Sequence, residues 1–286
     1  MATIKNMIRT LVYKSARHRG CFRRVWHPIG RLSQLAHREQ ELAQLDGAQA
    51  DMKLAACLGD DLTTRAGPFA GLRYPTRSAI GSALTPKLLG CYEQELHPVV
   101  RALLSRQLDA VYDIGCAEGY YAVGLARLLP SVNVFAFDIE PTAREQCQAM
   151  AAHNGVADRV HVAGLFARDD LAAISADRAL IWCDCEGYER DLFSLPLPAT
   201  LARHDLLIEV HDFIRPFTLA HLRSVFGPTH DAQVLRSVPD MLRPTIFPQA
   251  LLDALSEDEQ IIVMSEIRPA AMTWLWLTPR DRPEIL

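Results

Sequence analysis

The chain has 286 residues, of which 49% are hydrophobic and 22% charged; this suits a globular protein with a sizeable core and excludes disordered and fibrous classes. A net charge of −4 at pH 7 argues against a surface that binds nucleic acid throughout, so no nucleic-acid partner is expected. Seven cysteines, an odd number set mostly among apolar residues, read as reduced core thiols, and Cys183-x-Cys185 lacks the spacing of a zinc site.

The charge is unevenly spread. Residues 1–38 carry nine Lys and Arg and no acid, so the other 21 basic residues face all 34 Asp and Glu, a balance of −13. Such a basic arm can make weak peripheral contact with an anionic membrane face or an acidic partner. No apolar run approaches the roughly 18 residues of a membrane span, so no transmembrane segment is expected. Lys5, Arg9 and Lys14 interrupt any secretory signal core, and a cytoplasmic protein is the expectation. Leu32, Leu35, Leu42, Leu45 and Leu54 then recur in a helical rhythm that Gly59 ends. Residues 59–86 are rich in Gly, Pro, Ser and Thr and read as a connecting loop. Helical signal resumes across 87–107, "KLLGCYEQELHPVVRALLSRQ".

From residue 110 the pattern alternates. Short apolar runs at 110–114, 133–137, 160–163, 179–183 and 206–210 are predicted strands, and 119–129 and 141–153 are predicted helices, the second opening with Pro141. "DAQVLRSV" (231–238) and "AAMTWLWLTP" (270–279) are candidate closing strands. The predicted fold is α/β, a doubly wound, mostly parallel seven-stranded sheet over residues 86–286, preceded by a basic, mostly helical extension over 1–85.

The turn after the first strand, "VYDIGCAEGYYAVGLA", carries the first functional signal. A dinucleotide-binding turn needs G-x-G-x-x-G, and from Gly115 that template meets Ala117 and Tyr120, so a nicotinamide oxidoreductase is disfavoured. The P-loop template fails too. What stands is Asp113-x-Gly115-x-Ala117-x-Gly119, with Asp138 closing the second strand 19 residues past Gly119, where an acid accepts hydrogen bonds from ribose hydroxyls.

This pair resembles the first motifs of class I S-adenosylmethionine-dependent methyltransferases, a Rossmann-like family whose cofactor has no phosphate. Ala117 departs from the family's central glycine. The resemblance implies S-adenosyl-L-methionine as cofactor, bound by Asp113, Gly115, Cys116, Ala117, Gly119, Tyr120, Asp138 and Ile139. It further implies that Gly164 and Leu165 flank the adenine, with Tyr92 and Glu93 on a segment that closes over the cofactor. Downstream, Asp184-x-Glu186-Gly187-x-Glu189 and Glu209-x-His211-Asp212 look like the D-x-E-G-x-E and E-x-H strand ends of FkbM-type methyltransferases. That likeness covers roughly residues 88–215 and implies O-methylation of a small-molecule or glycan hydroxyl.

Four ionisable groups on neighbouring strand ends call for a chemical role, because buried like charges are costly unless protonated, paired or bound to a cation. Asp184, Glu186, Glu209 and His211 are therefore the candidate catalytic group. Two mechanisms are open: His211 or Asp184 as base, or Asp184, His211 and Asp212 holding Mg²⁺ or Mn²⁺ as in catechol-type enzymes. A non-catalytic cofactor-binding scaffold and a homodimer also stay open.

Overall fold

The computed structural model describes residues 58–281 except Pro269, together with Met52 and Ala56. The basic arm and the leucine rhythm before it reaches Leu58 lie outside the described residues. Five parallel strands, β1 (Ala110–Ile114), β2 (Asn133–Phe137), β3 (Val160–Ala163), β4 (Ala179–Cys183) and β5 (Asp205–Glu209), are joined by β6 (His230–Arg236) and β7 (Thr273–Pro279). The order across the seven-stranded sheet is β3-β2-β1-β4-β5-β7-β6, with β7 antiparallel to both neighbours.

The central strands read as continuous apolar runs because both faces are covered: every residue of β1, β4 and β5 is buried. Their alternation divides the core in two. Val111, Trp182, Leu207 and Trp274 pack to one side, with α1 (Leu84–Leu89), α2 (His97–Ala102) and α3 (Tyr120–Leu128). Tyr112, Ile181, Ile208 and Leu275 pack to the other, with Leu192 and Phe193 at the end of the one-turn helix α5 (Glu189–Leu192) and Leu222 and Phe226 from α6 (Thr218–Phe226). Residues two apart along a strand share a face, which produces this partition. The helix α4 (Pro141–His153) begins at the proline that marks it in the sequence and buries Ala143, Cys147 and Met150.

The helical signal over 87–107 is not one helix. Gly90 (φ 81°) caps α1 in the left-handed region, and Glu93 (φ 46°) turns the chain again before α2. β5 begins one residue earlier than its apolar run, because the buried Asp205 joins the ladder opposite Leu180. The loop before α1 packs closely on the sheet layer. Phe69 lies edge-on to Tyr120 and Tyr121 and occupies the space where a Cβ on Gly124 would stand. Between β6 and β7 lie two short helices, α7 (Arg243–Ile246) and α8 (Glu257–Met264); α8 opens with a capping box in which Ser256 accepts from the Glu259 N–H and Glu259 accepts from the Ser256 N–H. No helix among the described residues is long and apolar enough to cross a membrane.

Candidate functional site

A cavity of about 500 Å³ opens at the carboxyl ends of β1, β2 and β4, beside the point where the strand order reverses. Gly115 (φ 89°) lets the β1 turn pass against the end of β4, where any side chain would collide with the Asp184 carbonyl oxygen. Ala117 holds a left-handed φ of 47°, where the methyltransferase motif that this turn resembles has a glycine, a strained conformation for a residue with a Cβ. Gly119 (φ 97°) packs against Cys147 of α4 and starts α3, which brings Tyr120 to the cavity wall.

Two acids face this cavity from adjacent strands. Asp138 accepts hydrogen bonds from the Ala117 N–H (2.9 Å) and the Glu140 N–H (2.9 Å), one on each carboxylate oxygen. These bonds set the carboxylate's direction while each oxygen keeps a lone pair. Asp113 is 2% exposed, and its Oδ2 has no hydrogen-bond partner. Burial pushes its carboxyl up to about 7, against a hydrogen bond from the Ala122 N–H; the charges of Asp138 and Glu118 push it further. Cys116 and Ala117 complete this wall, Tyr92 stands on the wall as well, and Ile139, Gly164 and Leu165 form its rim, with Ile139 and Leu165 largely exposed. Of the predicted cofactor residues, Gly119 and Glu93 stand behind the wall rather than in it.

The other end of the cavity is built from side chains. Asp184 lines it, and Glu186 (φ 53°) stands at the mouth, 74% exposed. His211, two residues past the end of β5, lies behind Asp184 and Glu186 at 1% exposure; neither it nor Glu209 lines the cavity itself. Its Nδ1 lies 2.8 Å from Oε1 of the buried Glu189, and its Nε2 lies 3.4 Å from Glu186, 3.6 Å from Asp184 and 3.6 Å from Glu209. Glu189 also accepts from the Gly187 and Cys185 N–H groups, so the imidazole is aimed by a carboxylate that is itself held. Burial draws His211 down, but the hydrogen bond and charge of Glu189, with Glu209 and Glu186, outweigh it and hold the imidazole above its usual range. Glu189 shows the counterpart: burial raises it, and His211 brings it below the usual carboxylate range. Asp184 and Glu209 are both held well above that range, by burial first and then by neighbouring carboxylates.

The ligand atoms of Asp184, Glu186 and His211 all lie within 4.8 Å of one another. This donor set fits a divalent cation: the oxygens suit Mg²⁺ or Mn²⁺, and a histidine backed by a carboxylate is the usual second layer of a metal site. Asp212 is turned elsewhere. Its Oδ1 accepts from the Leu219 N–H at 3.1 Å, at the start of α6, so Glu186 takes the place in the trio that the sequence reading gave to Asp212.

Arg268, which sequence reading did not single out, is the hub behind this end. It donates through Nη1 to Glu209 (2.8 Å), through Nε to Glu266 (2.5 Å) and through Nη2 to Glu93. Glu93 also accepts from the Tyr121 hydroxyl, and Glu266 pairs with the fully buried Arg243 at 2.6 Å. Apart from Glu266, two residues before it, the partners of Arg268 lie 59 and 175 residues away, so no local pattern announces its role. Glu189 was within reach, because it is the last acid of the D-x-E-G-x-E stretch.

No family model matches the chain, and no curated protein matches it. Solved structures do. The O-methyltransferase TomG from Streptomyces achromogenes, involved in tomaymycin synthesis and in complex with S-adenosylmethionine, is 15% identical, with 66% of this chain and 81% of that one covered and a TM-score of 0.42. An S-adenosylmethionine-dependent methyltransferase from Geobacter sulfurreducens, in complex with S-adenosylhomocysteine, is 19% identical over 65% of this chain and 91% of that one, TM-score 0.40. A cyclopropane-fatty-acyl-phospholipid synthase-like protein from Lactobacillus casei is 15% identical over 68% and 93%, TM-score 0.43.

Proposed function

We propose that this chain is an S-adenosylmethionine-dependent methyltransferase of FkbM-like type that methylates a hydroxyl of a small molecule or glycan. The observation that carries the reading is one cavity with two different ends. At one end the backbone-pinned Asp138 and the unpartnered Oδ2 of Asp113 suit a ribose and an ammonium; at the other stand Asp184 and Glu186, with the carboxylate-backed His211 directly behind them. When bound, S-adenosylmethionine supplies a methyl group made electrophilic by its sulfonium.

The protein's part is positioning and proton handling. His211 takes the acceptor hydroxyl's proton at Nε2, while Glu189 keeps Nδ1 protonated and stabilises the imidazolium. Burial holds the Asp184 carboxyl well above the usual carboxylate range, which favours His211 over Asp184 as the base. Because His211 is held above its usual range, the neutral base becomes more abundant as pH rises, and turnover should climb over a range shifted above that of an ordinary imidazole.

Calorimetric titration with S-adenosylhomocysteine and with NAD tests the cofactor; binding of NAD alone would overturn the reading. His211→Ala should leave S-adenosylhomocysteine affinity within about twofold and lower turnover by ~10²–10⁴. A second reading is favoured by the Asp184, Glu186 and His211 trio: a divalent cation there would acidify the hydroxyl. Loss of turnover in EDTA, restored by Mg²⁺, selects it.

A further inference from the structure

We propose that Lys87 is the positioning residue for the cofactor's amino-acid end, taking the ligand carboxylate. The inference rests on the S-adenosylmethionine reading and extends it to a residue outside every motif.

The charges of the cavity wall motivate it. Five acids line it (Asp113, Asp138, Glu140, Asp184 and Glu186), and Lys87 is the one basic residue among the lining residues. A cationic sulfonium and ammonium suit such a wall; a ligand carboxylate does not, except at Lys87. A zwitterionic tail needs one acid and one base, and the wall offers both. The acid is Asp113, whose Oδ2 is buried and unpartnered. The base is Lys87, 3% exposed.

Lys87 is also held for the task. Its Nζ donates to Glu118 Oε1 at 2.5 Å and to Ser82 Oγ at 2.7 Å, which uses two of the ammonium's three donors. The Nζ sits 4.7 Å and 5.2 Å from the centres of the Tyr92 and Tyr120 rings, both of which line the cavity. Glu118 is anchored in turn, accepting from the Tyr74 hydroxyl at 3.2 Å and the Ile80 N–H at 3.0 Å. Glu118 lies in the β1 turn, and Ile80, Gly81 and Ser82 line the cavity from the loop before α1. The pair thus joins that loop to the cofactor turn, with Lys87 among the residues of the cavity wall.

The test compares ligands with and without the amino-acid tail. Calorimetry on the full chain would measure S-adenosylhomocysteine, its decarboxylated analogue and 5′-methylthioadenosine, which lacks the tail. Lys87→Gln combined with Glu118→Gln removes both charges without leaving a buried carboxylate alone. The double variant should lose ~10-fold or more in affinity for S-adenosylhomocysteine and change by less than about twofold for methylthioadenosine, as expected when one charge-assisted contact goes. Lys87→Arg should restore most of the preference for the carboxylated ligand. In the wild type, removing the carboxylate from the ligand should cost as much as removing Lys87 from the protein. An equal loss for tailed and tail-less ligands, or none for either, overturns the proposal. If the wild type binds none of the three, the proposal falls together with the reading it rests on.

Discussion

The two ends of the cavity are made differently. At the β1–β2 end a carboxylate is aimed by backbone amides a few residues away: Asp138 is held by Ala117 and Glu140. At the β4–β5 end the groups are aimed by other side chains from distant segments: His211 by Glu189, and Glu209 and Glu93 by Arg268. A backbone-aimed group depends on turn geometry and tolerates change around it. A group aimed by a chain of ion pairs fails with any member of the chain, because each loss strands another buried charge.

The largest effect should come from breaking the second kind. Arg268→Gln leaves Glu93, Glu209 and Glu266 crowded around a neutral amide and should destabilise the fold by about 3–5 kcal/mol in chemical denaturation. A loss under about 1 kcal/mol would show that the network is not a unit.

At the other end Asp113 gives a pH signature. Its carboxyl lies at about 7 in the fold and near 3.8 when unfolded, so between those values the folded protein keeps a proton that the unfolded chain releases. Stability should therefore fall as pH rises through that window, by at most about 1.4 kcal/mol per unit, and level off above pH 7. Asp113→Asn should flatten that slope in melting curves taken from pH 4 to 8. S-adenosylhomocysteine affinity in the wild type should rise over the upper part of the same window, since an ammonium needs the ionised acid.

Asp138→Ala should be the most contained. It removes ribose acceptors but leaves only two N–H groups beside an open cavity, so the fold should change by less than about 1 kcal/mol while S-adenosylhomocysteine affinity drops ~100-fold, or ~2.7 kcal/mol. Equal damage to fold and affinity would erase the contrast between the ends.

The same contrast separates what the sequence showed from what it did not. Strands at 110–114, 133–137, 160–163 and 179–183 stand where their apolar runs predict, because period and turn chemistry are local properties. Asp113, Gly115 and Asp138 stand on the cavity wall, and the turn and strand-end pattern that singles them out is local in the same way. The helical signal over 87–107 holds but in pieces, because Gly90 and Glu93 turn the chain twice. Lys87, Glu118, Glu266 and Arg268 were invisible, since their meaning lies in partners that only the folded topology brings near. A strand-end pattern does not say which acid turns back to a helix start, as Asp212 does toward the Leu219 N–H.

The placement of β7 carries a consequence for how the chain is made. Thr273–Pro279 pairs with β5 on one side and β6 on the other, although it follows both in sequence. In a chain emerging from its N-terminus, β5 with Leu206, Leu207 and Ile208 is therefore complete while its outer edge is bare. An apolar edge of that kind invites pairing with another chain. The nascent protein passes through an aggregation-prone interval that closes when β7 slides between its neighbours, and folding yield should depend on how long synthesis pauses before residue 273.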